Sequence, residues 1–226
     1  MTPLTPSRVD AEELLDEHDA PYDAMTRSLR DLRRINRYLG GTSIYRRLLA
    51  RFVGSSLRGM SILDLGSGTS DLPASLRGSG PRAFAIDFKI DHLLYGRSLD
   101  GHEVRRTAAD AFSLPFADGR IDVVTSAHFF HHFSPEQNQR LLTEALRVSR
   151  IGVVVNDTRR HWIPLLTTRL LGALRLVGEI TRFDAPASVL RGYTTREVRE
   201  MAAHLPAARA EVVNVFPFRF GLLLWK

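Results

Sequence analysis

The sequence predicts an α/β chain: a seven-stranded, mostly parallel sheet with helices on both faces, a terminal antiparallel strand pair and an N-terminal helical extension. Three observations predict it. Short apolar runs alternate with helix-length amphipathic stretches from Ile62 to Asn156. The first of these runs breaks into Gly66-Ser67-Gly68, a tight turn with acids on either side. Two strand-like runs, Ala210–Phe216 and Phe220–Trp225, meet near Pro217.

At 226 residues the chain is long enough for one well-buried domain, and its 44% hydrophobic content is ordinary for a globular protein. It has no cysteine, which excludes disulfides, thiolate metal sites and thiol nucleophiles and fits a reducing compartment. Met1 to Asp19 is acidic without an apolar core, so it does not read as a signal peptide, and no apolar run is long enough to span a membrane. A cytoplasmic protein is expected. The net charge of +6 is concentrated between Met25 and Met60, where nine arginines face Asp31 alone. Such a stretch suits RNA, an anionic membrane surface or an acidic substrate, or is simply a solvated helix face.

Taken in order, the chain begins with a loose lead and a short acidic helix from Asp10 onward. Met25, Leu29, Leu32, Ile35 and Leu39 recur at helical spacing with arginines between them, giving an amphipathic basic helix. Gly40-Gly41 ends it, Thr42 or Ser43 caps the next, and Ile44, Tyr45, Leu48, Leu49, Phe52 and Val53 form that helix's apolar face. Ile62, Leu63 and Leu65 are a buried strand, followed by the glycine turn and a helix from Asp71 to Leu76. Glycines let a ligand approach the backbone, and amides at the helix start suit an anion. Asp71 stands where a dinucleotide site has its third glycine, and Asp64 lies just before the turn. Two carboxylates repel a pyrophosphate but suit a ligand with positive charge, such as S-adenosylmethionine with its ammonium and sulfonium.

Ala83–Asp87 is a second strand, ending in an acid at about the ~20-residue offset where ribose hydroxyls are held. A helix over Ile90 to Arg97, a third strand over Val104 to Ala108 and a fourth over Ile121 to Ser126 follow. Ser134-Pro135-Glu136-Gln137 signals a helix start, and Ile151 to Asn156 is the next strand, putting Asn156-Asp157 at a C-terminal strand end where ligands bind in open α/β sheets. His161 to Ile180 is too apolar for a plain connection and reads as a helical insertion, over about residues 159–182, walling an oily pocket; core or dimer face are the alternatives. Asp184 to Thr194 reads as a loop leading to a helix capped by Thr194 or Thr195.

The series Leu63-Asp64-Leu65-Gly66-Ser67-Gly68, Ile86-Asp87, Ala109-Asp110-Ala111 and Ile121-Asp122-Val123-Val124 resembles the class I S-adenosylmethionine-dependent methyltransferases over roughly Ile44 to Lys226. Within that superfamily, Leu29–Arg37, Val154–Arg160 and Asp184–Tyr193 look like bacterial small-molecule methyltransferases of polyketide or quinone-lipid pathways. Thr158 departs mildly, since the family usually carries Leu there. The resemblance implies a Rossmann-like domain over 44–226, with residues 1–43 as a helical extension or lid. It implies S-adenosylmethionine as cofactor, held by Asp64, Leu65, Gly66, Ser67, Gly68, Asp71, Asp87, Phe88, Asp110, Ala111, Ser126 and Ala127. In the family such an extension often covers the substrate mouth, making Arg34, Asn36, Arg37 and Tyr45 candidates for cofactor or substrate contact.

Methyl transfer requires alignment, a dry pocket and, where the nucleophile must lose a proton, a base. His128, His131 and His132 follow the fourth strand at i, i+3, i+4, and histidine titrates near neutrality, so His131 or His132 is the candidate base. Packing is the alternative for each. His128 and Asp157 are candidate substrate contacts, and no metal is expected because no carboxylate or cysteine completes the histidine set. The expected acceptor is a small hydrophobic phenolic, polyketide or quinone-like molecule, methylated on oxygen, in secondary metabolism. A monomer or homodimer with peripheral membrane contact fits. Two rivals are an RNA methyltransferase using the basic N-terminal face, against which no base-methylation signature appears, and a non-catalytic module keeping the fold.

Overall fold

A computed structural model gives the architecture and describes residues 5–9, 13–16, 21–38, 40–101 and 103–226. The strands are β1 (Ser61–Leu65), β2 (Arg82–Asp87), β3 (Arg105–Ala108), β4 (Ile121–Ala127), β5 (Ser149–Thr158), β6 (Arg209–Val215) and β7 (Arg219–Trp225). They form one sheet in the order β3-β2-β1-β4-β5-β7-β6, with β7 antiparallel to both neighbours and the rest parallel. The predicted seven-stranded sheet with a terminal antiparallel pair is therefore present. Because the order reverses between β1 and β4, a crevice opens at the C-terminal strand ends there.

Strand side chains alternate between faces, and here both faces are covered. Ile62, Val123, Val154 and Leu223 point to one side, under Ile44, Leu48, Leu49 and Phe52 of α2 (Gly41–Val53). Leu63, Val124, Val153, Val155 and Phe220 point to the other. They pack there on Leu141, Leu142 and Leu146 of α5 (Pro135–Val148) and Val198 of α8 (Thr195–Ala202). α5 starts as its sequence signal predicts, Ser134 and Gln137 closing a reciprocal cap behind Pro135. Thr194 and Glu197 form the same device at α8.

α1 (Tyr22–Tyr38) carries the basic stretch. Its Asp31 caps a second helix: Asp31 Oδ2 accepts from the Gly178 amide at 2.7 Å, at the start of α7 (Glu179–Arg191). Arg33 turns inward, with both guanidinium nitrogens on Asp100 at 2.9 and 3.0 Å and one on Thr69 Oγ1 at 3.3 Å. The extension is thereby fastened over the glycine turn.

Three expectations are corrected or fall away. The stretch from Asp184 to Arg191, expected as loop, is the second half of α7: Pro186 lies inside that helix, and the Asp184 carboxylate serves the Leu14 and Leu15 amides at 2.8 and 3.0 Å instead of a turn. α2 begins at Gly41 behind a left-handed Gly40, one residue before the expected caps; the Ser43 hydroxyl donates to the Gly40 carbonyl at 2.9 Å. The start of the acidic helix, Asp10 to Glu12, lies outside the described residues, as does Leu39; Leu14–Asp16 is one 3-10 turn. The insertion divides into α6 (Trp162–Ala173) and the first turns of α7, and α6 leaves Ile163, Leu166 and Leu170 exposed. No helix among the described residues is long and apolar enough to cross a membrane.

Candidate active site

The cofactor half of the site is built from three strand ends. After β1 the chain turns through Gly66 (φ 60°) and Gly68 (φ 51°), conformations that disfavour any residue with a Cβ. A Cβ on Gly66 would lie 2.2 Å from the Phe129 ring, whereas one on Gly68 would meet nothing within 4 Å. The turn is thus packed behind and open in front. Asp64 is buried, its Oδ2 accepting from Ser67 Oγ and its Oδ1 from Thr125 Oγ1, both at 2.7 Å, and Tyr45 Oη reaches the same Thr125 hydroxyl at 3.0 Å. Burial pushes the Asp64 carboxyl up to about 7, against those hydrogen bonds and helped by the charges of Asp71 and Asp87. Asp71, at the start of α3 (Asp71–Ala74), is also raised by burial, with Asn36 Nδ2 donating to it at 3.1 Å. Burial thus raises both carboxyls, and a cation beside them would favour their charged forms.

At the end of β2, Asp87 accepts from the Gly68 amide at 2.7 Å and the Lys89 amide at 2.9 Å, so one carboxylate fixes both the turn and the strand end. After β3, Asp110 Oδ1 accepts from the Phe112 amide at 2.8 Å. Gly66, Asp87, Phe88, Asp110, Ala111, Phe112, Phe129 and Phe133 line a cleft of about 210 Å³. Four phenylalanine rings and two acids, Asp87 and Asp110, are among its lining. The hydroxyl of Ser126, at the end of β4, is buried with no hydrogen-bond partner among the described residues, and Ala127 is buried beside it. An orphaned buried hydroxyl, an open glycine face and a ladder of strand-end acids all fit the cofactor that the resemblance implies.

The second half lies over β4, β5 and β7. His131 is 2% exposed, in the 3-10 turn Phe130–His132, with Nδ1 2.8 Å from Asp157 Oδ1 and Nε2 3.2 Å from Glu13 Oε1. Burial opposes a charged imidazole, but the Asp157 charge and hydrogen bonds to both carboxylates override it and push His131 up to about 10. The same contacts hold Asp157 and Glu13 below the usual carboxylate range despite their burial. His131 therefore carries a proton on each nitrogen at neutral pH. His132 stacks on it, ring centroids 4.3 Å apart, beside Phe129 and Phe133. The ligand atoms of Glu13, His131 and His132 all lie within 4.8 Å of one another, so the fold supplies a carboxylate that the sequence reading did not place with the histidines. The carbonyls of this turn are held from outside by Arg8, Arg191 and Tyr193, and Asn138 holds the Phe130 carbonyl. His128 is not on a helix with them; it adopts φ 54° and its Nε2 accepts from Arg219.

The expected cofactor residues are thus gathered at the ends of β1 to β4, and Asn36 and Tyr45 join them from α1 and α2. Arg34 is exposed on Asp31, 3.6 Å away, and Arg37 lies over the Tyr38 ring, both outside this site. Glu13 and Arg219 were missed. Glu13 is separated from its partner by 118 residues, which no local pattern bridges. Arg219 left a weak signal, a lone charge opening an otherwise apolar strand.

Residues 62–152 match the family model described as a methyltransferase domain. The fold is shared with a solved S-adenosylmethionine-dependent methyltransferase from Aquifex aeolicus (20% identity, TM-score 0.57, 80% of this chain and 88% of that one). It is also shared with magnesium protoporphyrin IX methyltransferase from Synechocystis, solved with S-adenosylhomocysteine (14%, 0.59, 81% and 82%). Residues 62–152 therefore carry a methyltransferase domain, on the fold of these solved structures. The chain is similar to the demethylmenaquinone methyltransferase of Mycolicibacterium vanbaalenii, 32% identical over 156 residues (65% of this chain, 66% of the relative). A second such enzyme, from Thermus thermophilus, is 40% identical over 96 residues (40% and 43%). The chain spans 43% to 66% of the length of these curated relatives.

Proposed function

We propose that this protein is an S-adenosylmethionine-dependent methyltransferase of a small hydrophobic acceptor of phenolic or quinone-like type, transferring the methyl to oxygen. The observation that carries the reading is the acid ladder Asp64, Asp87 and Asp110 at consecutive strand ends around an open Gly68. Asp64 and Asp71 suit the ammonium of the methionine moiety, Asp87 the ribose diol, and the Phe112–Phe129–Phe133 cleft a purine ring rimmed by Asp110 and Ala111. Similarity to demethylmenaquinone methyltransferases supports the acceptor class.

When bound, the cofactor supplies a methyl group on a sulfonium and takes back the bonding electron pair as a thioether. The chain's own residues supply position and dryness. Phe129 and Phe133 exclude water, and Asp87 fixes the turn. His131, donating at both nitrogens, anchors the histidine turn, and His132, stacked on it, takes the acceptor's proton in this reading. The test is transfer of labelled methyl from S-adenosylmethionine into a panel of hydroxylated naphthalenes and quinols. Labelled methyl ether supports the reading, label on ring carbon revises the methylated atom, and no transfer to any of the panel counts against the acceptor class.

A further inference from the structure

β7 runs antiparallel to the central strands, so its first residue, Arg219, stands at the C-terminal ends of β4 and β5, the edge that holds the cofactor site. It pairs with Thr158, and Gly221 pairs with Asn156, which places Arg219 and Asn156 on one sheet face as diagonal neighbours on adjacent strands. β7 is three strands from β1, roughly 14 Å at the usual strand spacing. That distance puts Arg219 beyond the glycine turn, on the side where an acceptor would lie.

The chemistry here is unusual for an interior. Arg219 is 6% exposed, and no carboxylate lies within ion-pair distance of it among the described residues; its one hydrogen bond goes to His128 Nε2. Burial lowers it to about 10, so it remains a cation at neutral pH. Asn156 is 1% exposed, and neither its amide oxygen nor its amide nitrogen has a partner among the described residues. His128 is held against Asn156 by its own amide, which donates to the Asn156 carbonyl at 3.0 Å. Arg219 can only donate, so His128 Nε2 accepts and the ring's proton sits on Nδ1; burial first, and the Arg219 charge second, push His128 well below its ordinary value. Asp157, the nearest acid in sequence, points to the opposite face, toward His131. Asp157 acts on Arg219 through its charge without bonding to it; a buried cation with no carboxylate bonded to it and an amide without partners among the described residues are both costly, and an anionic ligand resolves both.

Resting on the methyltransferase reading, we propose that Arg219, Asn156 and His128 form the acceptor subsite and recognise an anionic oxygen carried on an aromatic ring. The cation neutralises the oxygen, the Asn156 amide donates to it or to a neighbouring hydroxyl, and the oxyanion left once the acceptor's proton has gone to His132 is held as the stronger nucleophile.

Equilibrium binding of three chromophores to the full-length protein saturated with S-adenosylhomocysteine tests this: 4-nitrophenolate, 4-nitrobenzoate and the neutral 4-nitroanisole, in buffer alkaline enough to ionise the phenol. The expected result is an anion bound about tenfold or more tighter than nitroanisole, the phenolate and benzoate arms telling which oxygen is preferred. Arg219→Met should abolish the preference and Arg219→Lys should retain part of it. Asn156→Leu, which removes an unsatisfied amide and keeps the volume, should fold at least as well and bind phenolate more weakly. All three should keep the nucleotide affinity within about twofold, which separates this subsite from the cofactor's own carboxylate. Equal binding of anion and nitroanisole by the wild type, or a preference that survives Arg219→Met, would overturn the proposal. Failure of S-adenosylhomocysteine to bind the wild type would overturn the methyltransferase reading instead; an Arg219-dependent anion preference would still support the subsite.

Discussion

The Gly68 amide donates to Oδ2 of Asp87 at 2.7 Å, tying the glycine turn after the first strand to the acid at the end of the second. The two groups that must face one ligand, an open backbone turn and a ribose-type carboxylate, are therefore positioned by each other. Replacing Asp87 by Ala removes both the ligand contact and the bond that shapes the turn. The expected outcome is a loss of roughly 1.5–3 kcal/mol in S-adenosylhomocysteine binding, about ten- to a hundredfold, with a melting temperature lower by several degrees because the Gly68 and Lys89 amides lose their acceptor. Calorimetric titration of the variant checks it.

Asp64 makes cofactor binding pH-dependent. Its carboxyl titrates at about 7 in the folded protein against 3.8 unfolded, so the native state binds the extra proton and this group's contribution to stability falls as pH rises between those values. The size is on the order of 4 kcal/mol. An ammonium beside Asp64 favours the ionised form, so affinity for S-adenosylmethionine should rise with pH across neutrality. Asp64→Asn should flatten both profiles; a variant that keeps the wild-type slope would show that the proton resides elsewhere.

Asp157 and His131 set a different window. His131 is raised to about 10, so its contribution is fully present below its unfolded value of 6.5 and is lost as pH climbs through 10; Asp157 is lowered, so its contribution is present above 3.8 and lost as pH falls. Asp157→Ala leaves the buried His131 imidazolium with Glu13 alone and should cost about 3–5 kcal/mol of unfolding free energy. Denaturant melts across alkaline pH should show wild type losing stability that a His131→Gln variant does not lose.

How far the sequence carried the reading depends on the range of each interaction. The glycine turn with its three strand-end acids, the Ser134–Gln137 cap and the Thr194–Glu197 cap are local patterns, legible because backbone geometry is set within a few residues. The second half of α7 was misread because Pro186 and Gly192 look like loop punctuation; one proline is accommodated within the helix, and Gly192 only follows its end. Glu13 against His131, and Arg219 against His128, depend on segments 118 and 91 residues apart meeting at one sheet edge. Periodicity cannot see such pairs.

Asp184 holds the N-terminal strap by accepting from the Leu14 and Leu15 amides, while Lys89 donates to the Leu15 carbonyl at 2.6 Å, just past Asp87. Asp184→Ala should release that strap at a cost of about 1–3 kcal/mol, the usual range for groups left without a buried partner. Hydrogen exchange should then speed up at Leu14 and Leu15 while the sheet amides stay protected. Unchanged protection at those two residues would show that other contacts hold the strap.

The central claim is that the strand-end acids and the open glycine turn hold S-adenosylmethionine. Calorimetric titration of the purified protein with S-adenosylmethionine and with S-adenosylhomocysteine tests it most directly. The account predicts micromolar binding of both, weakened in the Asp87→Ala variant. Binding of neither, by a protein that melts cooperatively, would contradict it.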